Sequence, residues 1–251
     1  MRLSIITINY NNKRGLQKTI DSVISQTFKD FEWIVIDGGS TDGSRELIEK
    51  YQEYFAFWCS EPDKGIYNAM NKGIRKASGE YCLFLNSGDY LYGDCLRTIV
   101  PLLKGDIIVG IVKSEECGKL SYRYSNENFV FSQLYTSSFP HQASFIKREL
   151  LQKYGNYDED YQIVSDWKFF IQVLKNKGVS IEFIKNIVSV VEESGISAKN
   201  KDLLKKEKDK IFAETFPSYM LQDIKYSSSL HDIFRNKIAK TIYSVLYRLF
   251  A

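Results

Sequence analysis

Strand-like apolar runs alternate with helical patterns from residue 1 to about residue 112, and this constrains the chain more than any other feature. "RLSIITINY" is a buried strand ending on polar Asn9, followed by Leu16, Ile20, Val23, Ile24 and Phe28 at helical spacing. "FEWIVIDGGSTDGS" is a second strand, ending in Asp37 and a Gly/Ser turn, with Ser40 or Asp42 placed to cap a helix over 44–51. "YFAFWCSEPD" is a third strand. "GIYNAMNKGIRKA" is a helix with Ile66, Met70 and Ile74 on one face. "YCLFLNSGDY" is a fourth strand, followed by a helix near 94–103 and the strand "DIIVGIV". Such alternation predicts an α/β fold, with a mostly parallel sheet covered by helices on both faces. Asn9, Asp37, Glu61 and Asp89 each follow a strand, so they should share the rim where ligands bind in such sheets.

The second half is less regular. "KLSYRYSNENFVFSQLY" holds strand-like pieces, and "SFPHQASFIKREL" reads as a strand running into a helix. "SDWKFFIQVLKNKG" is a helix starting at Ser165. "VSIEFIKNIVSVVEESGIS" reads as two short strands, and a charged helix covers about 199–216. A last helix is predicted over about 228–250. Leu230, Ile233, Phe234, Ile238, Ile242, Val245, Leu246 and Leu249 form its apolar stripe. Arg235, Lys237, Lys240 and Arg248 are its cations, with Tyr243 and Tyr247 as interfacial anchors. That stripe suits packing on the catalytic domain, a homo-oligomer contact, or peripheral attachment to an anionic membrane.

Composition excludes several classes. A net charge of +3 gives no case for nucleic acid as the main partner. The four cysteines, Cys59, Cys82, Cys95 and Cys117, form no C-x-x-C pair and read as free thiols of a reducing compartment. Two histidines, His141 and His231, are too few and too far apart for a His-based zinc site. Neither a signal peptide nor a stretch of transmembrane length is read in the sequence, which gives a cytoplasmic expectation. There is no G-x-G-x-x-G after the first strand and no G-x-x-x-x-G-K-[ST], so dinucleotide and P-loop folds are disfavoured.

Taken in order, "SIITINYN", "TIDSVISQTF", "EWIVIDGGSTDGS", "EPDKGIYNAMNKGIRKASGEYCLFLNSGD", "PHQASFIKREL", "SDWKFFI" and "ESGIS" resemble the family 2 glycosyltransferases over about residues 1–200. The resemblance implies a GT-A fold, Rossmann-like, with a C-terminal helical extension. It implies a glycosyltransferase domain over 1–216, with a nucleotide-sugar half (1–112), an acceptor half (113–216) and an amphipathic extension (217–251). The implied reaction moves a hexosyl or N-acetylhexosaminyl group, with inversion, from a nucleotide-diphospho-sugar to a hydroxyl. The donor would be UDP-linked. The acceptor would be a glycan or a lipid-linked glycan of bacterial surface polysaccharide synthesis, at the inner face of the cell membrane.

The resemblance also implies roles. A nucleoside diphosphate leaving group concentrates negative charge, which Mn2+ or Mg2+ and nearby N–H donors stabilise. Relatives usually supply Asp-x-Asp after a buried strand. Here Asp89 aligns with the metal-binding acid, and the first acid is missing from Asn86-Ser87-Gly88-Asp89. Thr7, Asn9, Asp37 and Asp63 fall where relatives contact the nucleoside, with Asn86 and Ser87 beside them and Lys72 facing the phosphates. Asp37 also suits an Asx-turn, and Lys72 a solvated helix face. Asn68 stands where many relatives carry an acid. Asp166 aligns with the general base, with Glu159 and Asp160 nearby, and also suits the first turn of a helix. His141 would contact phosphate, acceptor or metal, or serve structurally. Ser194–Ser197 resembles a loop near the donor. Two other classes compete: a nucleotidyltransferase, which would release pyrophosphate, and a sugar-nucleotide-binding module without turnover.

Overall fold

The computed structural model describes residues 1–116, 119, 129–176, 178–192, 195 and 199–235. In chain order the elements are β1 (Leu3–Asn9), α1 (Lys13–Ile24), β2 (Phe31–Asp37), α2 (Ser44–Lys50), β3 (Phe57–Ser60), α3 (Ile66–Lys76), β4 (Tyr81–Phe84) and β5 (Tyr90–Leu91). There follow α4 (Cys95–Ile99), β6 (Ile107–Ser114), β7 (Ser144–Lys147), α5 (Arg148–Lys153), α6 (Ser165–Leu174), β8 (Ile181–Val191), α7 (Lys201–Thr215) and α8 (Ser218–Arg235). The described strands form one sheet in the order β3-β2-β1-β4-β7-β6-β8-β5. β3, β2, β1 and β4 pair in parallel, β7 runs against both its neighbours, β8 is parallel to β6, and β5 closes the edge antiparallel.

Period-two alternation sorts each strand between two cores. Leu3 and Ile5 pack with Leu16, Ile20 and Leu96 on one face. Ile6 and Ile8 pack with Met70, Ile74 and Phe170 on the other. Gly73 lets α3 approach β1, because a Cβ there would lie 2.4 Å from the Ile6 Cγ2. That close approach sets the position of Tyr67, one turn and a half earlier on the same helix.

The second half departs from the sequence reading in three places. Residues 181–191 form one strand, not two. The polar pair Lys185-Asn186 interrupts the apolar run, but β-bulges opposite Val109–Val112 absorb the irregularity and the strand continues. Phe131–Tyr135 is a 3-10 helix rather than a strand, and residues 120–128 lie outside the described residues. The last helix begins at Ser218 rather than near Ser228. It lies against the 3-10 helix, with the Ser227 and Ser132 hydroxyls 3.0 Å apart. Residues 236–251, which hold most of the apolar stripe, lie outside the described residues, as do Cys117, Ser194, Ile196 and Ser197. Among the described residues no helix is long and apolar enough to cross a membrane. Cys59, Cys82 and Cys95 are free, and burial raises the Cys82 and Cys95 thiols to about 12.

Candidate active site

β1, β2 and β4 end side by side, and their last residues make the rim. Asp37 is fully buried and accepts four hydrogen bonds: from Asn9 Nδ2 (2.7 Å), Ser40 Oγ (2.5 Å), Ser40 N (2.9 Å) and Ser60 Oγ (2.7 Å). Burial pushes this carboxyl up, and the donors more than offset it, leaving its pKa lowered. Asp37 is therefore first a fastener of three rim segments. Asn9 Oδ1 is buried without a hydrogen-bond partner. Asp63 lies across Gly38: a Cβ on Gly38 would fall 2.6 Å from Asp63 Oδ2 and 3.2 Å from the Tyr10 ring. Tyr10 is 66% exposed, a flat apolar face at the mouth of the rim.

Thr7 is not brought to the rim. It shares the parity of Leu3 and Ile5, is fully buried, and its hydroxyl accepts from the Trp33 indole at 3.0 Å. Lys72 is engaged by Glu61 at 2.8 Å and by the Pro62 carbonyl at 3.4 Å.

Asn86–Asp89 forms a turn closed by Asp89 N–H donating to Asn86 O at 3.0 Å. Gly88 sits there at φ 104°, a region that disfavours side chains. α1 holds the turn: Asn12 Nδ2 donates to Ser87 O (3.0 Å), Thr19 Oγ1 to Asp89 O (2.7 Å), and Gly88 N–H to Thr19 Oγ1 (3.2 Å). The turn is real, and it aims Asp89 inward. That carboxylate accepts from Gln142 Nε2 at 3.2 Å and from the Glu192 backbone N–H. Burial raises it to about 6, although the His141 charge and those donors pull the other way. The Glu192 side chain is itself bound by Lys18 at 2.8 Å.

A chain of contacts links this turn to the second half. Asn86 Nδ2 lies 3.2 Å from His141 Nε2, and His141 Nδ1 lies 3.1 Å from Asp166 Oδ2. Tyr67 OH is 2.9 Å from Asp166 Oδ1 and 2.7 Å from Ile163 O, so its one proton serves either acceptor. Burial lowers the His141 pKa, but the Asp166 hydrogen bond and the Asp166 and Asp89 charges outweigh it, and the net direction is up. Asp166 is 13% exposed, and each of its oxygens keeps a further lone pair for an incoming hydroxyl. Glu159 is occupied by Asn68 (2.7 Å) and Asn71 (2.8 Å), and Asp160 is exposed.

Tyr67, Gln142, Asn12, Thr19 and Tyr10 belong to this site and escaped the sequence reading. Only Tyr10 carried a usable signal, an aromatic at the end of an otherwise aliphatic strand.

Among the described residues no group of three His, Cys, Asp or Glu side chains converges as a metal site. The residues nonetheless fit a cation that completes its shell with phosphate oxygens and water. Asp89 is a buried carboxylate short of compensating charge, and Asn86 Oδ1 is a buried oxygen without a partner.

Residues 4–176 match the profile of Glycosyl transferase family 2. An uncharacterized glycosyltransferase of Mycobacterium tuberculosis is 37% identical over 184 residues, covering 68% of each chain. A PGL/p-HBAD biosynthesis glycosyltransferase of Mycobacterium bovis is 28% identical over 200 residues, covering 76% of this chain and 77% of that one. Residues 1–349 of S. aureus TarS superpose with a TM-score of 0.68 at 19% identity, covering 95% of this chain and 75% of that one. The chain spans 42% of a longer TarS structure, and TarS has been solved with UDP and with UDP-GlcNAc. The mannosyltransferase PcManGT from Pyrobaculum calidifontis, in complex with GDP-Man and Mn2+, gives a TM-score of 0.61 at 17% identity over 99% of this chain and 80% of that one.

Proposed function

The chain belongs to glycosyl transferase family 2 and has the GT-A fold, and from that premise we propose an inverting transfer of a hexosyl or N-acetylhexosaminyl group from a UDP-sugar to a hydroxyl. The acceptor is a glycan or lipid-linked glycan of a bacterial surface polysaccharide, met at the inner face of the cell membrane. The UDP assignment is supported by TarS, which has been solved with that nucleotide and its GlcNAc derivative. Residues 1–112 carry the donor side and 113–216 the acceptor side, with 217–251 as the extension that would reach an anionic membrane.

The observation that carries this reading is the run Tyr67–Asp166–His141–Asn86, which ends at the turn bearing Asp89. Asp166 takes the acceptor proton while the acceptor oxygen bonds the anomeric carbon and the bond from that carbon to the diphosphate breaks. With Asp166 ionised, Tyr67 donates to it. Once Asp166 is protonated, the Tyr67 proton turns to Ile163 O. His141, donating from Nδ1, fixes the carboxylate's orientation. Asp63 and Tyr10 frame the nucleoside, with Asn9 Oδ1 as a buried acceptor for one of its donors, and Lys72 exchanges Glu61 for phosphate. Asp89, with Asn86 and His141 beside it, would hold Mn2+ or Mg2+, which when bound neutralises charge on the departing diphosphate.

A panel of nucleotide sugars screened with Mn2+ by thermal shift and by UDP release tests the proposal. UDP release with a stabilising UDP-sugar supports it. Pyrophosphate release, or binding without turnover, replaces it with one of the competing classes.

A further inference from the structure

α6 begins without a side-chain cap: Val164 stands at its N-cap, with φ −120° and no capping hydrogen bond. The helix that presents Asp166 must therefore take its entry angle from elsewhere. The segment just before it is gripped by a distant carboxylate. Glu207, on α7, is 8% exposed. Its Oε1 accepts from Gln162 N–H at 2.8 Å and its Oε2 from Ile163 N–H at 3.0 Å. On the other side of the same segment, Ile163 O accepts from Tyr67 OH, the hydroxyl that also touches Asp166. About two turns further on, Glu214 accepts from Tyr161 OH at 2.8 Å, while Ile211 and Phe212 bury the helix between the two acids. Residues 161–163 are thus held from α7 by two carboxylates and from α3 by one hydroxyl. α7 lies beyond residue 176, where the family match ends.

We propose that Glu207 is a positioning residue for transfer: its carboxylate holds the two residues just before the helix start and so fixes the segment from which Asp166 reaches the acceptor. The inference rests on the reading of Asp166 as general base. A carboxylate is the group that can do this. Two N–H donors need two acceptor oxygens, and glutamine offers one oxygen and one N–H2, so one contact would turn donor against donor. Misplacing a reacting group by about 1 Å costs on the order of 100-fold in rate, without any loss of donor contacts.

The test uses the full chain with Glu207→Gln, Glu207→Asp and Glu207→Ala. Three quantities are read: melting temperature, UDP affinity by calorimetry with Mn2+, and UDP release from UDP-GlcNAc. Amide exchange by mass spectrometry follows the segment 158–168. Glu207→Gln and Glu207→Ala should lower kcat about tenfold or more, with KM and UDP Kd within about twofold, and Glu207→Asp should fall between them and wild type. Exchange across 158–168 should rise while β1 and β2 keep their protection. If kcat of the folded variants equals wild type, or KM and UDP Kd move as much as kcat, Glu207 is structural only and the inference fails. If wild type releases no UDP from UDP-GlcNAc or from any other UDP-sugar of the panel, the reading of the site fails instead, and unchanged exchange in Glu207→Ala still overturns the anchoring role. If Glu207→Ala does not fold, Glu207→Gln and Glu207→Asp decide.

Discussion

His141 Nδ1 meets Asp166 Oδ2 at 3.1 Å, joining the segment before β7 to the start of α6. This contact orients the acid proposed as base, and Tyr67 holds its other oxygen. His141→Ala should therefore lower turnover by about tenfold or more while leaving metal-free UDP affinity within about twofold, the signature of a group that acts on the reacting geometry. Steady-state kinetics with calorimetry checks it. Equal losses in both quantities would make His141 a donor contact instead.

The two rim acids should titrate with opposite signs. The Asp37 pKa is lowered by its donors, so its contribution is present at neutral pH and is lost as pH falls through its folded value. Asp89 is raised from 3.8 to about 6, so metal-free protein loses up to about 3 kcal/mol of stability from this group as pH rises from 4 to 6. Asp89→Asn should accordingly stabilise the chelator-treated protein at pH 7 but not at pH 4. Asp37→Asn should destabilise it at pH 7 by about 1–3 kcal/mol, since a donor then faces donors. Urea melts at both pH values decide. A stabilising Asp37→Asn, or a strongly destabilising Asp89→Asn at pH 7, would contradict these assignments.

Gly88→Ala tests the turn that aims Asp89. The residue has φ 104°, and an added Cβ would sit 3.3 Å from Asn12 Nδ2. The strain should cost on the order of 1–3 kcal/mol. It should also weaken Mn2+ affinity in the presence of UDP, read by titrating the metal. Wild-type stability and metal response together would show that the turn tolerates a side chain and does not govern the site.

Asn86 separates a metal contact from a histidine contact. Asn86→Ala should cost about 0.5–1.5 kcal/mol in donor binding, one hydrogen bond's worth. Asn86→Asp should leave the enzyme active and tighten Mn2+, because a carboxylate replaces a neutral amide next to Asp89. A titration in which Asn86→Asp weakens Mn2+ would place the cation elsewhere.

The first half of the fold could be read from periodicity because each strand there is bounded by its own helix and turn. Asn9 and Asp37 meet as strand ends should, and the turn that carries Asp89 is tied to β1 by Ser87 N–H donating to Ile8 O. Thr7 shares Asn9's face of β1 but lies two residues short of the strand's end, so its hydroxyl is taken up by Trp33 inside the fold, a depth that a motif match does not register. β8 reads as two strands in the sequence because bulges leave no mark there distinct from a turn. The Tyr67–Asp166 and Glu207–Ile163 contacts join residues far apart in the chain. Nothing local distinguishes Tyr67 from any other buried helix aromatic, or Glu207 from the other charges of α7, until tertiary packing brings their partners to them.

Everything proposed for the site turns on Asp166 as the group that would take the acceptor proton. The most direct measurement compares wild type and Asp166→Asn in UDP release from the nucleotide sugar selected in the panel, with UDP affinity measured on the same preparations. The expected result is a loss of about 100-fold or more in kcat with UDP Kd within about twofold, since the amide keeps the size and the Tyr67 contact but cannot accept the proton. An Asp166→Asn variant that turns over at the wild-type rate would contradict it.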